Sequence, residues 1–109
     1  RWHINEMKSL LSRFSGVKFI FDDVKQKYYP VLRDAITSFR SKNEGKPLVV
    51  IDDTPFIDFD ILDYPVNDIE EIFLLKGSDA AIWGPKASNG IIVIITQRGK
   101  STKIEQKEE

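Results

Sequence analysis

The hydrophobic residues of the chain follow a helical period near the N-terminus and form short continuous runs in the second half. The helical stretch lies between residues 4 and 14, where apolar side chains recur at spacings of three and four: Ile4, Met7, Leu10, Leu11 and Phe14. This spacing predicts a helix with one apolar face. Gly16 follows, and we expect it to end the helix because a C-terminal cap requires a positive φ angle.

Residues 17–46 are less regular. Residues 17–21, VKFIF, predict a strand, and the two aspartates after them predict a turn. Residues 28–32 fit a second strand in which Pro30 occupies an edge or the strand start, because proline has no N–H to donate. Residues 34–39 fit a short helical turn equally well, and residues 41–46 predict a polar loop.

Three short apolar runs in the second half predict buried strands. They occupy residues 48–51, 72–75 and 91–96. The unbroken run at 48–51 is typical of a strand that is covered on both faces. Turn-forming sequences separate the runs, namely DDTP at 52–55, KG at 76–77 and NG at 89–90.

Two short helical segments are predicted between these strands. Residues 66–69 fit one helical turn, with Asn67 or Asp68 as its cap. Ser78 is the predicted N-cap of a helix over residues 80–83, which ends at a Gly-Pro pair.

Together these elements predict one α+β domain, in which short helices pack around a small mixed β-sheet. The 109 residues, 41% hydrophobic and 30% charged, are enough for one core. Residues 1–99 form the predicted domain, and residues 100–109 are a polar C-terminal tail that is expected to be disordered. No apolar run approaches the ~20 residues of a transmembrane helix.

Charge is distributed unevenly along the chain, although the net charge is only −1. Residues 1–50 carry ten Lys and Arg against five Asp and Glu, whereas residues 51–99 carry three against nine. The asymmetry indicates either an oriented surface for a partner or two halves that pack together and offset each other. We favour the second interpretation. The acidic second half argues against nucleic-acid binding.

The sequence contains few residues of the types that form catalytic or metal-binding sites. There are no cysteines and His3 is the single histidine, which excludes thiolate metal sites and leaves histidine-based triads unsupported. Six acidic residues cluster in the second half: Asp52, Asp53, Asp58, Asp60, Asp63 and Asp68. An EF-hand loop from Asp58 fails, because Leu62 and Ile69 stand where oxygen ligands are required. A weak carboxylate site for Ca²⁺ and a solvated acidic loop both remain open, and we favour the loop. We expect no catalytic residue, no metal, no cofactor and no enzymatic activity.

Several phrases of the sequence resemble the plug domain of TonB-dependent outer-membrane receptors. Residues 47–55, PLVVIDDTP, are similar to the family's PL-x-V-I-D-G-x-P, and residues 67–77, NDIEEIFLLKG, to N-x-x-D-I-E-S-I-E-V-L-K-G. Residues 80–84 and 87–92, AAIWG and ASNGII, are similar to A-A-x-Y-G-x-x-A-x-N-G-V-I. Residues 10–17 resemble the opening L-L-x-x-x-P-G-V more weakly. Each phrase is generic alone, but their order and spacing together are specific.

The resemblance assigns structural roles to seven motif residues: Asp52, Lys76, Gly77, Trp83, Gly84, Asn89 and Gly90. The Asn-Gly form of the last phrase looks most like the glycan-importing branch of Bacteroidetes. Asp53 departs from the pattern, because the family usually has Gly there. Trp83 replaces the usual Tyr, and we expect it to pack in the core rather than contact a ligand.

The function implied by this resemblance is a plug-like gating and ligand-binding module. Such a module fills the lumen of a β-barrel, blocks passage and contributes to binding a glycan or another nutrient, at the outer membrane or in the periplasm. Arg33 and Arg98 are candidates for contacts with partner carboxylates, since guanidinium groups pair with them bidentately.

The alternative is a barrel-less interaction domain at the C-terminus of a larger exported periplasmic or surface protein. Two observations favour it. The residues after Thr96 do not alternate as a first barrel strand would, and no segment that would engage TonB precedes the domain. A piece cut from a longer receptor explains the same observations.

Overall fold

The computed structural model describes the backbone of residues 2–32 and 45–98, and the side chains of these residues from position 5 onward. Two helices and six strands lie in these ranges: α1 (Trp2–Leu11), β1 (Val17–Asp22), β2 (Lys27–Leu32), β3 (Leu48–Ile51), β4 (Thr54–Phe56), β5 (Ile69–Leu75), α2 (Ser78–Ala81) and β6 (Ile91–Thr96). Short 3-10 turns occupy Ile61–Asp63, Val66–Asp68 and Pro85–Ala87. The predicted helical turn at 34–39 and the predicted tail at 100–109 lie outside the described residues.

The strands form two sheets. β1 and β2 pair antiparallel as a separate hairpin, and the other four strands have the order β4-β3-β6-β5. β3 and β6 are parallel, whereas the β3–β4 and β5–β6 pairs are antiparallel. The predicted α+β class with a small mixed sheet is confirmed. The expectation of a single sheet was wrong, because the β1–β2 hairpin pairs only with itself among the described strands.

Helix α1 presents the predicted apolar face to the core. Met7 and Leu11 are fully buried, and Leu10 packs against the same cluster. The helix ends at Leu11, five residues before the predicted stop at Gly16. The amides that follow Leu11 still bond to carbonyls of the last turn, so Gly16, with φ 85°, serves instead to turn the chain into β1.

β3 is buried on both faces, as its unbroken apolar sequence predicted. Val49 belongs to the main core cluster with Met7 and Leu11, whereas Leu48 and Val50 belong to a second cluster on the opposite face. This alternation follows from the period of two residues in a strand. The four-stranded sheet is therefore a central layer with apolar packing on each side.

The turn after β3 is tighter than expected. Asp52 and Asp53 are its two central residues, with φ angles of 49° and 71°, and Thr54–Phe56 already forms β4. Positive φ at both central positions is the pattern of hairpin turns that match strand twist. This geometry gives a physical reason for the Gly usually found at the position of Asp53, because Gly adopts positive φ without steric cost.

Two predicted caps were wrong. The turn at Val66–Asp68 has Pro65 at its N-cap and no side-chain cap, so neither Asn67 nor Asp68 plays that role. Ser78 is the first residue of α2 rather than its cap, because the carbonyl of Gly77 accepts from the amides of Ala80 and Ala81 at 3.1 Å.

Candidate functional site

Six of the seven motif residues lie in the connection between β5 and β6. This connection, residues 76–90, contains Lys76, Gly77, Trp83, Gly84, Asn89 and Gly90. β5 and β6 are antiparallel, so the connection closes one end of the sheet. The seventh motif residue, Asp52, lies at the opposite end of the sheet, where β3 finishes.

Two glycines of the connection adopt backbone angles that other residues avoid. Gly77 has φ 60° and ψ −133°, and Gly84 has φ 85° and ψ −170°. A Cβ atom at either position would meet no atom within 4 Å. The requirement for glycine at these positions therefore comes from the backbone conformation and not from lack of space.

Asn89 joins this connection to the start of β3. Its side chain is 3% exposed, and its Nδ2 donates to the carbonyl of Lys46 at 3.3 Å. The next residue, Gly90, accepts a 3.0 Å hydrogen bond from the amide of Leu48. Asn89 Oδ1 is buried without a hydrogen-bond partner. The Asn-Gly pair thus fixes the N-terminal ends of the parallel strands β3 and β6 to each other.

Trp83 is half-buried and packs against the second core cluster, which is formed by Leu48, Val50, Ala80, Ala87 and Ile91. Lys76, also half-buried, begins the connection at the end of β5. α2 has only four residues, and Trp83 packs against the same cluster as Ala80 of that helix. This position supports a packing role for Trp83.

Asp52 ties together the opposite ends of the same two strands. Its Oδ1 accepts from the amide of Thr96 at 2.9 Å, and its Oδ2 accepts from the Thr96 hydroxyl at 2.5 Å. The amide of Asp52 donates in turn to the carbonyl of Ile94 at 3.0 Å. The motif residues therefore hold the β3–β6 pair at both ends, Asn89 at one and Asp52 at the other.

Of the two predicted partner contacts, only Arg98 can be located. It is exposed and lies beside Asp52, Tyr64 and Asp68 at the rim of an open pocket of about 430 Å³. Burial, with a smaller effect of the Asp68 and Asp52 carboxylates, raises the pKa of Tyr64, and Arg98 acts in the opposite direction. Arg33 lies outside the described residues.

A chain of alternating charges lies at the end of the sheet where β3 begins. Four carboxylates and three ammonium groups follow one another in space, in the order Asp22, Lys46, Asp58, Lys25, Asp60, Lys27 and Asp63. The six successive N–O distances are 3.1, 2.8, 3.1, 3.2, 3.3 and 2.7 Å. We call this set the charge chain. It connects the β1–β2 hairpin to the loop at residues 57–63.

Asp22 and Lys46 form the least exposed link of the charge chain, with side chains 11% and 16% exposed. Asp22 also organises the hairpin turn, because its Oδ1 accepts from the amides of Val24 and Lys25 at 2.9 and 3.2 Å. Lys46 lies 4.8 Å from the centre of the Tyr29 ring. Since Asn89 holds the backbone of Lys46, the motif connection and the charge chain meet at this residue.

The ion pairs shift the pKa values of both the carboxylates and the ammonium groups. Hydrogen bonding from Lys46 lowers the pKa of Asp22 and the pKa of Asp58. Asp58 and then Asp60 raise the pKa of Lys25, and Asp63 and then Asp60 raise the pKa of Lys27. Burial alone would lower the pKa of Lys46, but Asp58 and Asp22 outweigh it and the pKa is raised. All five groups are therefore held in their charged forms.

Sequence reasoning found the acids of the charge chain but not their partners. Asp58, Asp60 and Asp63 were assigned to a solvated loop or a weak Ca²⁺ site, whereas the structure pairs them with lysines 12 to 36 positions away along the chain. The opposite charges of the two halves were the available signal. The interpretation that the halves pack together and offset each other is confirmed for these residues.

Within residues 5–32 and 45–98, no group of three or more His, Asp or Glu side chains has a geometry suited to a metal ion. None of the helices in the described parts of the chain has the length and apolar character needed to cross a membrane.

The comparison with known families gives one result. The model of the TonB-dependent receptor plug domain matches residues 2–91. No curated protein matches the chain, and no solved structure does. The matched range begins with α1, includes every element through the β5–β6 connection and ends at the first residue of β6. It covers most of the chain, and the chain therefore belongs to the TonB-dependent receptor plug domain family.

Proposed function

We propose that this domain is the gating and ligand-binding module of a TonB-dependent outer-membrane transporter, seated in the lumen of a β-barrel. The observation that carries the proposal is the family match over residues 2–91. Plug domains belong to transporters rather than enzymes.

The structure supports this role through the way the sheet is fixed. Asp52 and Asn89 lock the two central strands at their opposite ends, and apolar clusters cover both faces. A module that must block a pore needs a body that keeps its shape while its surface contacts change. The surface of the charge-chain end is formed by loops, namely the hairpin turn and the loop at residues 57–63.

We place ligand contact at that end. A cleft between the hairpin and the loop at 57–63 is lined by Tyr28, Tyr29 and Phe59 and is rimmed by the charge chain. Aromatic walls with a few charged groups are typical of sites for polar organic ligands. The cleft measures only about 20 Å³ in the described structure, so a glycan would contact its aromatic and charged rim rather than enter it. The Asn-Gly form of the motif at residues 89–90 supports the glycan-importing branch. Arg98, at the opposite end, is the proposed contact with carboxylates of the barrel.

The test is photo-cross-linking in the cells that naturally produce the protein. A benzophenone amino acid replaces Ile57 or Ile82, which are 61% and 84% exposed, and the matched control is the same variant kept in the dark. We expect the exposed positions to cross-link to a β-barrel polypeptide, or to a barrel region of the same polypeptide, and the control to give no product. Cross-links only to a non-barrel periplasmic or surface protein would overturn the proposal in favour of a barrel-less interaction domain.

A further inference from the structure

The β1–β2 hairpin has two halves that are held in different ways. Its root, near Val31 and Leu32, lies in the core, where both side chains are almost completely buried. Its tip, residues 20–29, has little apolar cover. Four large apolar side chains of the tip are exposed: Ile20, Phe21, Val24 and Tyr28. Val24 alone is 93% exposed.

The contacts that keep the tip in place are mainly electrostatic. Asp22, Lys25 and Lys27 of the tip supply three of the seven groups in the charge chain. The remaining contacts include the ammonium of Lys8 at 4.6 Å from the Tyr28 ring. Ion pairs between partly exposed groups contribute little individually and weaken as salt screens them. The tip is therefore far less securely held than the root.

The boundary between root and tip falls at one strand pair. Phe19 of β1 lies opposite Pro30 of β2. Phe19 packs against the main core and Pro30 is fully buried, whereas the next two residues of β1, Ile20 and Phe21, are both exposed although they face opposite sides of the strand. Pro30 has no backbone N–H, so β2 has no amide donor at this strand pair.

We propose that the charge chain is a latch: it closes the hairpin tip over the aromatic cleft, and the tip opens as a unit, hinged near Phe19 and Pro30, when the chain of charges is broken. Opening separates Tyr28 and Tyr29 on the hairpin from Phe59 on the loop, and so exposes the cleft that these side chains line. We call Asp58 the central link, because it joins Lys25 of the hairpin tip to Lys46, which lies just before β3. The latch goes beyond the proposed transport role, and it is a property of the chain itself, whether or not a barrel surrounds it.

The experiment is amide hydrogen exchange of the 109-residue chain, followed by mass spectrometry. Asp58→Asn removes the charge of the central link. The variant keeps the backbone, because Asp58 has φ 58° and Asn tolerates this region well. Asp23→Asn is the matched control, since Asp23 is an exposed acid of the hairpin tip with no ion pair among those described.

We expect Asp58→Asn to speed exchange in residues 20–29 by about fivefold, which corresponds to the loss of two partly exposed ion pairs. Raising NaCl from about 0.02 M to about 0.5 M should speed exchange of the same residues in the parent chain and have a smaller effect in the variant. Residues 91–96, in the central strand, should be unchanged in both cases, as should all residues of Asp23→Asn.

Exchange at 20–29 that differs by less than about twofold between the parent chain and Asp58→Asn would overturn the latch, because removing Asp58 would then leave the opening of the tip almost unchanged. Equal acceleration at 20–29 and 91–96 would also overturn it, since that pattern reports global unfolding. Neither outcome bears on cross-linking to a barrel, so the latch and the transport role fail independently.

Discussion

The carboxylate of Asp52 accepts two hydrogen bonds from Thr96, a residue 44 positions later in the chain. These bonds join the C-terminal ends of β3 and β6, which are neighbouring parallel strands. Because parallel strands cannot be connected by a tight turn, side-chain bonds at their ends have the role that a hairpin turn plays between antiparallel strands.

Replacing Asp52 with Ala should therefore destabilise the domain. Asp53→Ala is the control, because both residues have positive φ and the backbone cost of Ala is common to the two variants. We expect Asp52→Ala to lower the free energy of unfolding by about 2 kcal/mol more than Asp53→Ala, the range for hydrogen bonds to a charged group. Urea unfolding followed by tryptophan fluorescence measures the difference. Equal losses would mean that the bonds to Thr96 contribute nothing net.

Gly84→Ala tests the backbone of the β5–β6 connection. The φ of 85° and ψ of −170° lie in a region that is almost restricted to glycine, so Ala should cost about 1–3 kcal/mol even though a Cβ has space. Ser88→Ala, at an exposed residue with φ −63°, should change the unfolding free energy by less than about 0.5 kcal/mol. A cost for Gly84→Ala as small as that of the control would show that the connection can adopt another conformation.

Asn89→Asp should introduce a pH-dependent defect. The carboxylate would be buried with its oxygens facing the carbonyl of Lys46, where Asn89 now donates. Burial raises the pKa of such a group, and the protonated acid can again donate a hydrogen bond. We expect a loss of about 3 kcal/mol near pH 7, by the cost of an unpaired buried charge, and a clearly smaller loss near pH 4.

The control for this variant is Asn67→Asp, at an exposed position. Its unfolding free energy should follow the parent chain at both pH values. A defect in Asn89→Asp that stays constant from about pH 7 to about pH 4 would rule out a buried charge as its cause.

The charge chain predicts a stability plateau at intermediate pH. The pKa values of Asp22 and Asp58 are lowered below 3.8 in the folded chain, so their contribution is present above 3.8 and is lost as pH falls through the lower folded values. The pKa values of Lys25, Lys27 and Lys46 are raised above 10.5, so their contribution is present below 10.5 and is lost as pH rises through the folded values.

Urea unfolding near pH 7 and near pH 3 checks this linkage. The parent chain should lose about 0.5–1 kcal/mol more between these conditions than Asp58→Asn, which lacks one of the shifted carboxylates and two ion pairs. Asp23→Asn should lose as much as the parent chain. Parallel losses in the parent chain and Asp58→Asn would show that the charge chain does not contribute to stability in solution.

The central strands of the four-stranded sheet were predictable because a strand that is buried on both faces has an unbroken apolar sequence. Residues 48–51 and 91–95 are unbroken apolar runs, so both strands could be predicted from their own residues. Only residues 72–75 of β5 were predicted. The strand begins at Ile69, and its early residues Glu70 and Glu71 interrupt the apolar pattern because β5 lies at the edge of the sheet.

Pairing between distant segments was not predictable in the same way. The separate β1–β2 sheet, the parallel register of Leu48 with Ile91 and the Lys–Asp pairs all depend on residues far apart in sequence. Loop closure and packing decide such contacts, and no local pattern records them. The β5–β6 connection was located through the resemblance of its motif rather than through its periodicity.

The central position of β6 has a consequence for how the chain folds. β6 is the last of the six strands in sequence, and it pairs with both β3 and β5. Until residues 91–96 are available, the second half consists of a β3–β4 hairpin and an unpaired β5. Completing the sheet therefore requires β6 to pair with β3 on one side and β5 on the other. Both pairings are non-local, and non-local pairing slows folding. If the chain crossed a membrane N-terminus first, its four-stranded sheet would stay incomplete until residues 91–96 followed, and the preceding segments could pass through unfolded.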